Sequence, residues 1–543
     1  MKELLFDRKH VQSPDAKHQV FVSSMLVLLG GLAIGLSHVP LPLWWLAWVA
    51  LVPLLLLWDR TQPLKTQKLI QFTAEIYTAF LIAYAVAFFW PLLHTFSKLH
   101  VLGKTTLLAF GSLLLVPAVF TFPFVASLPY RRKRGRLVGF AVFTVFYLAV
   151  ELAFEYMAFP WPVLGYTQGG AVPINQFAEV TGVAGLSLWV LLLNGLAFGY
   201  YTAKRFKVRL QASLAAILLV GLAVGGGLWR TTHLGQTDNF VTVGLVQPAM
   251  TEATWTERFG GPRISRMIAL SDSLIASMNA PPIFMIWPEM ALPAPASASR
   301  QQFVNEQLQA WTEQQEVALL TGALVPDNVA SRSGRFYNRA VLFRPLAEPQ
   351  HYDQVYPLPY RPRVPISKQS PWLPPPLRSQ FIRGAYQRPL AFDDIRVGVL
   401  MDFELLLSNY VRRYPGQQAD FLAVLTLDGW WGDTPGYRQH LNYLRLRAIE
   451  TRRSIVQVAA SGGTALLAPD GSIIFRAEVH ESTARLAAVP IFKDRTFYSR
   501  FGNWLGWLAL VLSLTLIGWT FIVTGWRYWQ ALDAPENIKA LPG

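Results

Sequence analysis

FVTVGLVQ, residues 240–247, is where this chain changes character. β-Branched and apolar residues fill the octapeptide and turn formers bound it, so it reads as a buried strand rather than part of a membrane span. Pro282-Ile283-Phe284-Met285-Ile286-Trp287 reads as a second strand. Between them, Ile264, Met267, Ile268, Leu274 and Ile275 recur at helical spacing, predicting a helix over 264–278. Gln301–Gln315 predicts another, with Ser299 as its N-cap. Further strands are expected at 317–325, 338–344, 395–401 and 420–426, then a helix at about 436–452, then strands at 454–459, 464–468 and 484–489. Strands alternating with helices and ending in a run of strands imply a layered α/β domain. The Pro-rich stretch 357–376 reads as a long loop of the kind that forms a functional lid or is disordered.

Upstream of residue 240 the text is of another kind. Apolar runs fall at about 21–38, 41–58, 73–94, 105–128, 137–157, 182–202 and 211–229, with one more at about 504–525. Each approaches the ~20 residues that cross a hydrocarbon core. The first is no signal peptide, because it starts after twenty residues and another span follows at once. Ser37-His38-Val39-Pro40 joins the two shortest runs, which read as two full spans or as a hairpin or re-entrant pair. A chain that is 52% hydrophobic and 15% charged is too apolar for one water-soluble domain. The expected architecture is a polytopic α-helical membrane protein of about eight transmembrane helices with an inserted α-β-β-α domain. Its expected divisions are a membrane domain at 1–231, the α/β domain at 232–500, and a last span with its tail at 501–543.

The formal net charge is +15, and the placement of the cations decides what that means. Lys2, Arg8, Lys9 and Lys17 precede the first run; Arg60, Lys65 and Lys68 lie in the second loop; Arg131–Arg134 with Arg136 lie in the fourth; Lys204, Arg205, Lys207 and Arg209 lie in the sixth. Short basic loops stay cytoplasmic. The expected topology therefore has both termini in the cytoplasm and the α/β domain on the far, periplasmic side. The run at 131–136 reads as a topology signal and anionic-lipid contact, so no nucleic-acid partner is expected. Glu151 and Glu155, one helical turn apart, should face the bundle interior, either fixing helix packing or walling a cleft that continues into Phe159-Pro160-Trp161-Pro162.

The chain contains no cysteine, which excludes disulfides, thiolate metal sites and thiol catalysis. Yet Val246-Gln247, Trp287-Pro288-Glu289, Tyr337-Asn338, Trp430-Trp431-Gly432, Gln439-His440 and Arg445-x-Arg447-Ala448-Ile449-Glu450 stand in order along it. Together with Arg500-Phe501-Gly502-Asn503-Trp504 and the helix layout, this set resembles the bacterial apolipoprotein N-acyltransferase family, whose soluble part is a nitrilase-type carbon-nitrogen hydrolase domain. The resemblance implies a bacterial inner-membrane location. It also implies transfer of an acyl chain from a phospholipid to the N-terminal amine of a lipoprotein through an enzyme thioester. That chemistry needs a carboxylate base, a cysteine and a lysine.

On the family's pattern the base maps onto Glu289, the lysine onto Gln354 and the cysteine onto Asp402, with Glu404 retained two residues on. The position before the D-x-W motif is Leu427, and the loop after the missing lysine reads Arg361-Pro362-Arg363. The shell survives while the reacting groups are replaced. Loss of such a nucleophile costs about 10⁶-fold in a comparable triad enzyme. A carboxylate nucleophile would give a water-sensitive mixed anhydride, and Asp402 beside Glu289 would place two carboxylates in one site. A glycosidase pair and a metal site made with His440 are weaker readings. So is a transporter, because membrane charges are few and no repeat is visible.

The reading favoured is a protein without acyl-transfer activity that binds lipid, a lipoprotein N-terminus or a protein partner in a membrane complex. Glu404, Trp430, Trp431, Tyr360 and Trp161 would be its binding residues, and no cofactor is expected. The alternative is an acyltransferase or hydrolase using Asp402 or water.

Overall fold

The computed structural model describes residues 14–61, 66–90, 104–155, 163–234, 237–250, 261–295, 297–327, 335–357, 381–427 and 436–532. Among them, seven helices are long and apolar enough to cross a membrane: Lys17–His38, Thr66–Ala87, Leu113–Arg134, Arg136–Glu155, Ala178–Thr202, Phe206–Thr232 and Trp504–Val523. The run expected at 41–58 is not one continuous helix. It forms a 3-10 turn, Trp44–Trp48, followed by a nine-residue helix, Val52–Arg60. Pro42 and Pro53 account for the break, since each lacks an N–H and Pro53 sits in the first turn of the second piece. The loose backbone ends are satisfied by buried Asn194, whose Oδ1 accepts from Leu51 N at 2.8 Å and whose Nδ2 donates to Ala47 O at 2.7 Å. Broken backbone at membrane depth requires that kind of internal partner.

The α/β part is a sandwich of two sheets. In chain order the strands are β1 (Phe240–Gln247), β2 (Phe284–Ile286), β3 (Ala318–Pro326), β4 (Phe336–Arg344), β5 (Ala347–Asp353), β6 (Phe381–Ile382) and β7 (Leu390–Phe392). They continue with β8 (Ile395–Met401), β9 (Phe421–Thr426), β10 (Ile455–Ala459), β11 (Ala465–Leu467), β12 (Ile473–Arg476) and β13 (Thr483–Pro490). One sheet has the order β13-β1-β2-β3-β4-β5 with β6 on β4; the other runs β12-β11-β10-β9-β8-β7. In each sheet the central three strands (β1, β2, β3 and β8, β9, β10) are parallel, with antiparallel strands outside them.

The sheets pack face to face, with the Phe284 ring 5.9 Å from Phe392 and 6.1 Å from Phe421. A separate apolar layer containing Met267, Met285, Leu308 and Phe343 lies between the first sheet and the helices Gly261–Ala276 and Ala298–Gln315. The second of these helices starts three residues earlier than expected. Its N-cap is Ser297, whose Oγ accepts from Arg300 N at 3.2 Å, not Ser299. The edge strands β5, β6, β7 and β12 were not expected at all.

Side chains from both parts tie the sandwich to the helical bundle. Glu155, the last residue of its helix, accepts from Ser408 Oγ at 2.5 Å, Asn409 N at 3.1 Å and Asn503 Nδ2 at 2.7 Å. One carboxylate thus joins a membrane helix, the sandwich and the entry to the last span. Gln439 donates to His38 O at 2.9 Å and accepts from Trp90 Nε1 at 3.1 Å. Glu179 pairs with Arg452 at 2.8 Å and Arg230 at 2.6 Å. Glu151 accepts from Leu164 N at 2.6 Å, so both carboxylates make packing contacts; the cleft expected to continue into residues 159–162 lies outside the described residues.

Candidate functional site

The site forms where strands end. Glu289 follows β2 by three residues, Asp402 follows β8 directly, and Thr426 closes β9. These are carboxyl ends of parallel strands, the usual location for ligand sites in α/β sheets. Gln354 follows β5, and Asn338 lies inside β4.

Pleating decides which side chains enter. Asn338, Ala340 and Leu342 alternate with Arg339, Val341 and Phe343 along β4, so Asn338 faces the second sheet and Arg339 the outer layer. Asn338 Nδ2 donates to Glu289 Oε1 at 2.6 Å and to Gln354 Oε1 at 3.0 Å. Gln354 Nε2 then donates to Met401 O at 3.0 Å, and Gln354 N to Asn338 O at 2.9 Å. A continuous chain of hydrogen bonds therefore runs from Glu289 to the residue preceding Asp402. Asn338 joins Glu289 to Gln354, and Gln354 reaches the main chain one residue before Asp402. Spacing could not have revealed that link, because its partners lie 49 and 16 residues away.

Glu289, Gln354 and Asp402 are each at most 3% exposed. Gln354 has its donor on a main-chain carbonyl and its acceptor on Asn338. Asp402 has φ 49°, the left-handed region that Asp and Asn tolerate better than other side chains. Its Oδ1 accepts a long contact, 3.4 Å, from Thr426 Oγ1. The sharp bend from β8 into the 3-10 turn Asp402–Leu406 is thus kept, with a carboxylate at its apex.

Glu404 is fully buried and turned into the protein. Oε1 accepts from Val355 N at 2.8 Å and Tyr356 N at 2.9 Å, and Oε2 accepts from Met401 N at 2.9 Å. Tyr352 OH bridges both oxygens at 2.8 and 2.7 Å and lies 2.6 Å from Tyr410 OH. Burial pushes the Glu404 carboxyl up to about 7, and these donors restrain a larger rise. Burial also raises the Tyr352 and Tyr410 phenols, so both stay protonated donors. Glu404 pins the segment after Gln354 to the segment around Asp402. Neither tyrosine was singled out from the sequence as a member of this network.

His440 is buried beside Phe403, with 6.1 Å between ring centroids, and burial holds its imidazole down to about 4. It is a neutral packing residue. No group of three or more His, Cys, Asp or Glu among the described residues is arranged to hold a metal ion. Trp430, Trp431, Tyr360 and Trp161, expected to border the cleft, lie outside the described residues, as do Trp372 and Phe159-Pro160.

Two family models match. The apolipoprotein N-acyltransferase N-terminal domain matches residues 30–196, and the carbon-nitrogen hydrolase domain matches 242–491. The chain is similar to the apolipoprotein N-acyltransferase of Geobacter metallireducens, 26% identical over 527 residues and covering 93% of this chain and 96% of that one. The corresponding protein of Bdellovibrio bacteriovorus is 27% identical over 523 residues, covering 90% and 92%. Among solved structures, an amidase from a Nesterenkonia species aligns with a TM-score of 0.35 at 14% identity. It covers 49% of this chain and 95% of that one.

Proposed function

Since the chain belongs to the apolipoprotein N-acyltransferase family, we propose that it is an inner-membrane member that has given up acyl transfer. It would act as a binding or assembly component for a lipid, a lipoprotein N-terminus or a protein partner. The observation that carries this reading is Gln354. Where the family places a cation beside the nucleophile, this chain has a neutral amide that donates one N–H to Met401 O and accepts from Asn338, and it brings no charge. An oxyanion forming near Asp402 would meet that amide in place of a lysine, and the removal of one oxyanion donor alone costs about 10²–10³ in rate. Asp402 adds negative charge where the tetrahedral intermediate would develop it.

The basic loops support an orientation with the sandwich in the periplasm and both termini in the cytoplasm. A second reading, an acyltransferase or hydrolase using Asp402 or water, draws support from the left-handed backbone at Asp402. Strained bends of this kind present nucleophiles in other hydrolases.

Substitution separates the two. In a strain whose own copy is deleted, Glu289→Gln and Asp402→Asn should restore the wild-type phenotype fully, because no proton transfer depends on either. Trp430→Ala and Trp431→Ala should fail to restore it while leaving the protein at normal level. Loss of function in the amide variants with silent tryptophan changes would establish the enzymatic reading instead.

A further inference from the structure

A second candidate site lies in the bundle, away from the sandwich. An open groove of about 680 Å³ runs between the helices Ala178–Thr202 and Phe206–Thr232, with Trp48 at its edge. Ala197 and Tyr200 line one wall and Ala212, Ala216 and Val220 the other; the described residues that line it include no charged side chain. Small residues leave the space. Gly227 is the buried residue of its helix, packed against the Pro173 carbonyl at the opposite end from Ala212.

The groove has a direction. Glu179 and Val183, at the start of their helix, bond to Arg452 and Glu450 of the sandwich. Tyr200 is 17 residues beyond Val183, about 26 Å along the axis. That approaches the ~30 Å of a hydrocarbon core, so the Tyr200 end opens at the membrane face opposite the sandwich. From Ala212 to Val224 the groove extends about 18 Å, close to the depth of one leaflet. At its mouth stand Lys204, Arg205, Lys207 and Arg209, all exposed. The Arg209 guanidinium lies 5.9 Å from the Tyr200 ring that lines the groove, and residues 203–210 contain no acidic side chain.

We propose that this groove holds an anionic phospholipid of the leaflet opposite the sandwich. Its acyl chain lies between the two helices and its headgroup phosphate sits on the Lys204–Arg209 cluster. A topology signal alone explains the cations but not the groove. A partner helix explains the groove but not four cations at its mouth. An anionic lipid requires both. The site is independent of the Glu289–Asp402 region and of whatever that region binds.

The test uses the full chain in nanodiscs of phosphatidylethanolamine and phosphatidylglycerol in equal parts, released for native mass spectrometry. Each basic residue near an anionic surface contributes about fivefold, so phosphatidylglycerol should be retained at least about tenfold over phosphatidylethanolamine. The surface variant K204Q/R205Q/K207Q/R209Q should lose that preference with an unchanged unfolding temperature, and Ala216→Trp should lose the bound lipid altogether. No preference in the wild type, or a preference that survives the four-fold variant, would overturn the proposal. Because the chain has no cysteine, Ala216→Cys also reports on other occupants. Rapid disulfide dimers through that residue would place a second copy in the groove and likewise overturn it.

Discussion

Glu404→Leu should destabilise the sandwich by about 3 kcal/mol or more, while Asp402→Asn two residues away should leave stability within about 1 kcal/mol of wild type. Leucine would take away the carboxylate that accepts from Met401 N, Val355 N, Tyr356 N and Tyr352 OH; the phenol keeps Tyr410 OH 2.6 Å away, so the loss falls on the three amides. Each buried donor left without an acceptor costs about 1–3 kcal/mol. For three amides the sum is about 3 kcal/mol or more, a large part of the ~5–15 kcal/mol that holds a typical domain. Glu404→Gln should fall between: its oxygen can still accept from Val355 and Tyr356, but its NH₂ would face Met401 N. Asp402→Asn keeps size, tolerance of positive φ and a side-chain oxygen that can still accept from Thr426 Oγ1. Thermal unfolding of the purified proteins reads all three. Equal midpoints for Glu404→Leu and wild type would show that the network is not what holds the two segments together.

The second large effect is expected at the junction. Arg447 and Glu450 form an ion pair at 3.0 Å, 0% and 1% exposed, on the helix Gly436–Thr451. Glu450 Oε1 also accepts from Val183 N at 3.0 Å, just past Gly182, whose φ of 63° breaks the membrane helix and lets Tyr498 pack against the bare backbone. Arg447→Met leaves a buried carboxylate without its counter-ion, a change that costs about 3–5 kcal/mol. Replacing both, as Arg447→Met with Glu450→Gln, removes the stranded charge and keeps an acceptor for Val183 N. The double variant should therefore be more stable than the single one. If the two substitutions simply add, the pair is not coupled and the junction is held by other contacts.

These effects fall on residues whose importance the sequence only partly conveyed. Long apolar runs announced the spans because hydropathy is a local property, but a residue count cannot register the break that Pro42 and Pro53 impose at 41–58. The parallel core strands were legible from their β-branched runs. The edge strands β6, β7 and β12 are two to four residues long and partly exposed, too short for any pattern to form. Glu289, Gln354 and Asp402 were found because each sits in a recognisable motif at a strand end. Asn338, Tyr352 and Tyr410 act through partners on other strands. Glu155 acts through Ser408 and Asn503, 253 and 348 residues away, which no spacing can show.

On the proposed reading, this chain keeps the frame around Glu289, Gln354 and Asp402 without acyl transfer. Intact-protein mass spectrometry tests that most directly. Purified protein is incubated with phosphatidylethanolamine and quenched in acid to preserve any mixed anhydride, and its mass is compared with that of Asp402→Ala. The expected result is no mass increment of one acyl chain in either protein. An acyl increment on the wild type that disappears in Asp402→Ala would contradict the loss of chemistry and make Asp402 a nucleophile.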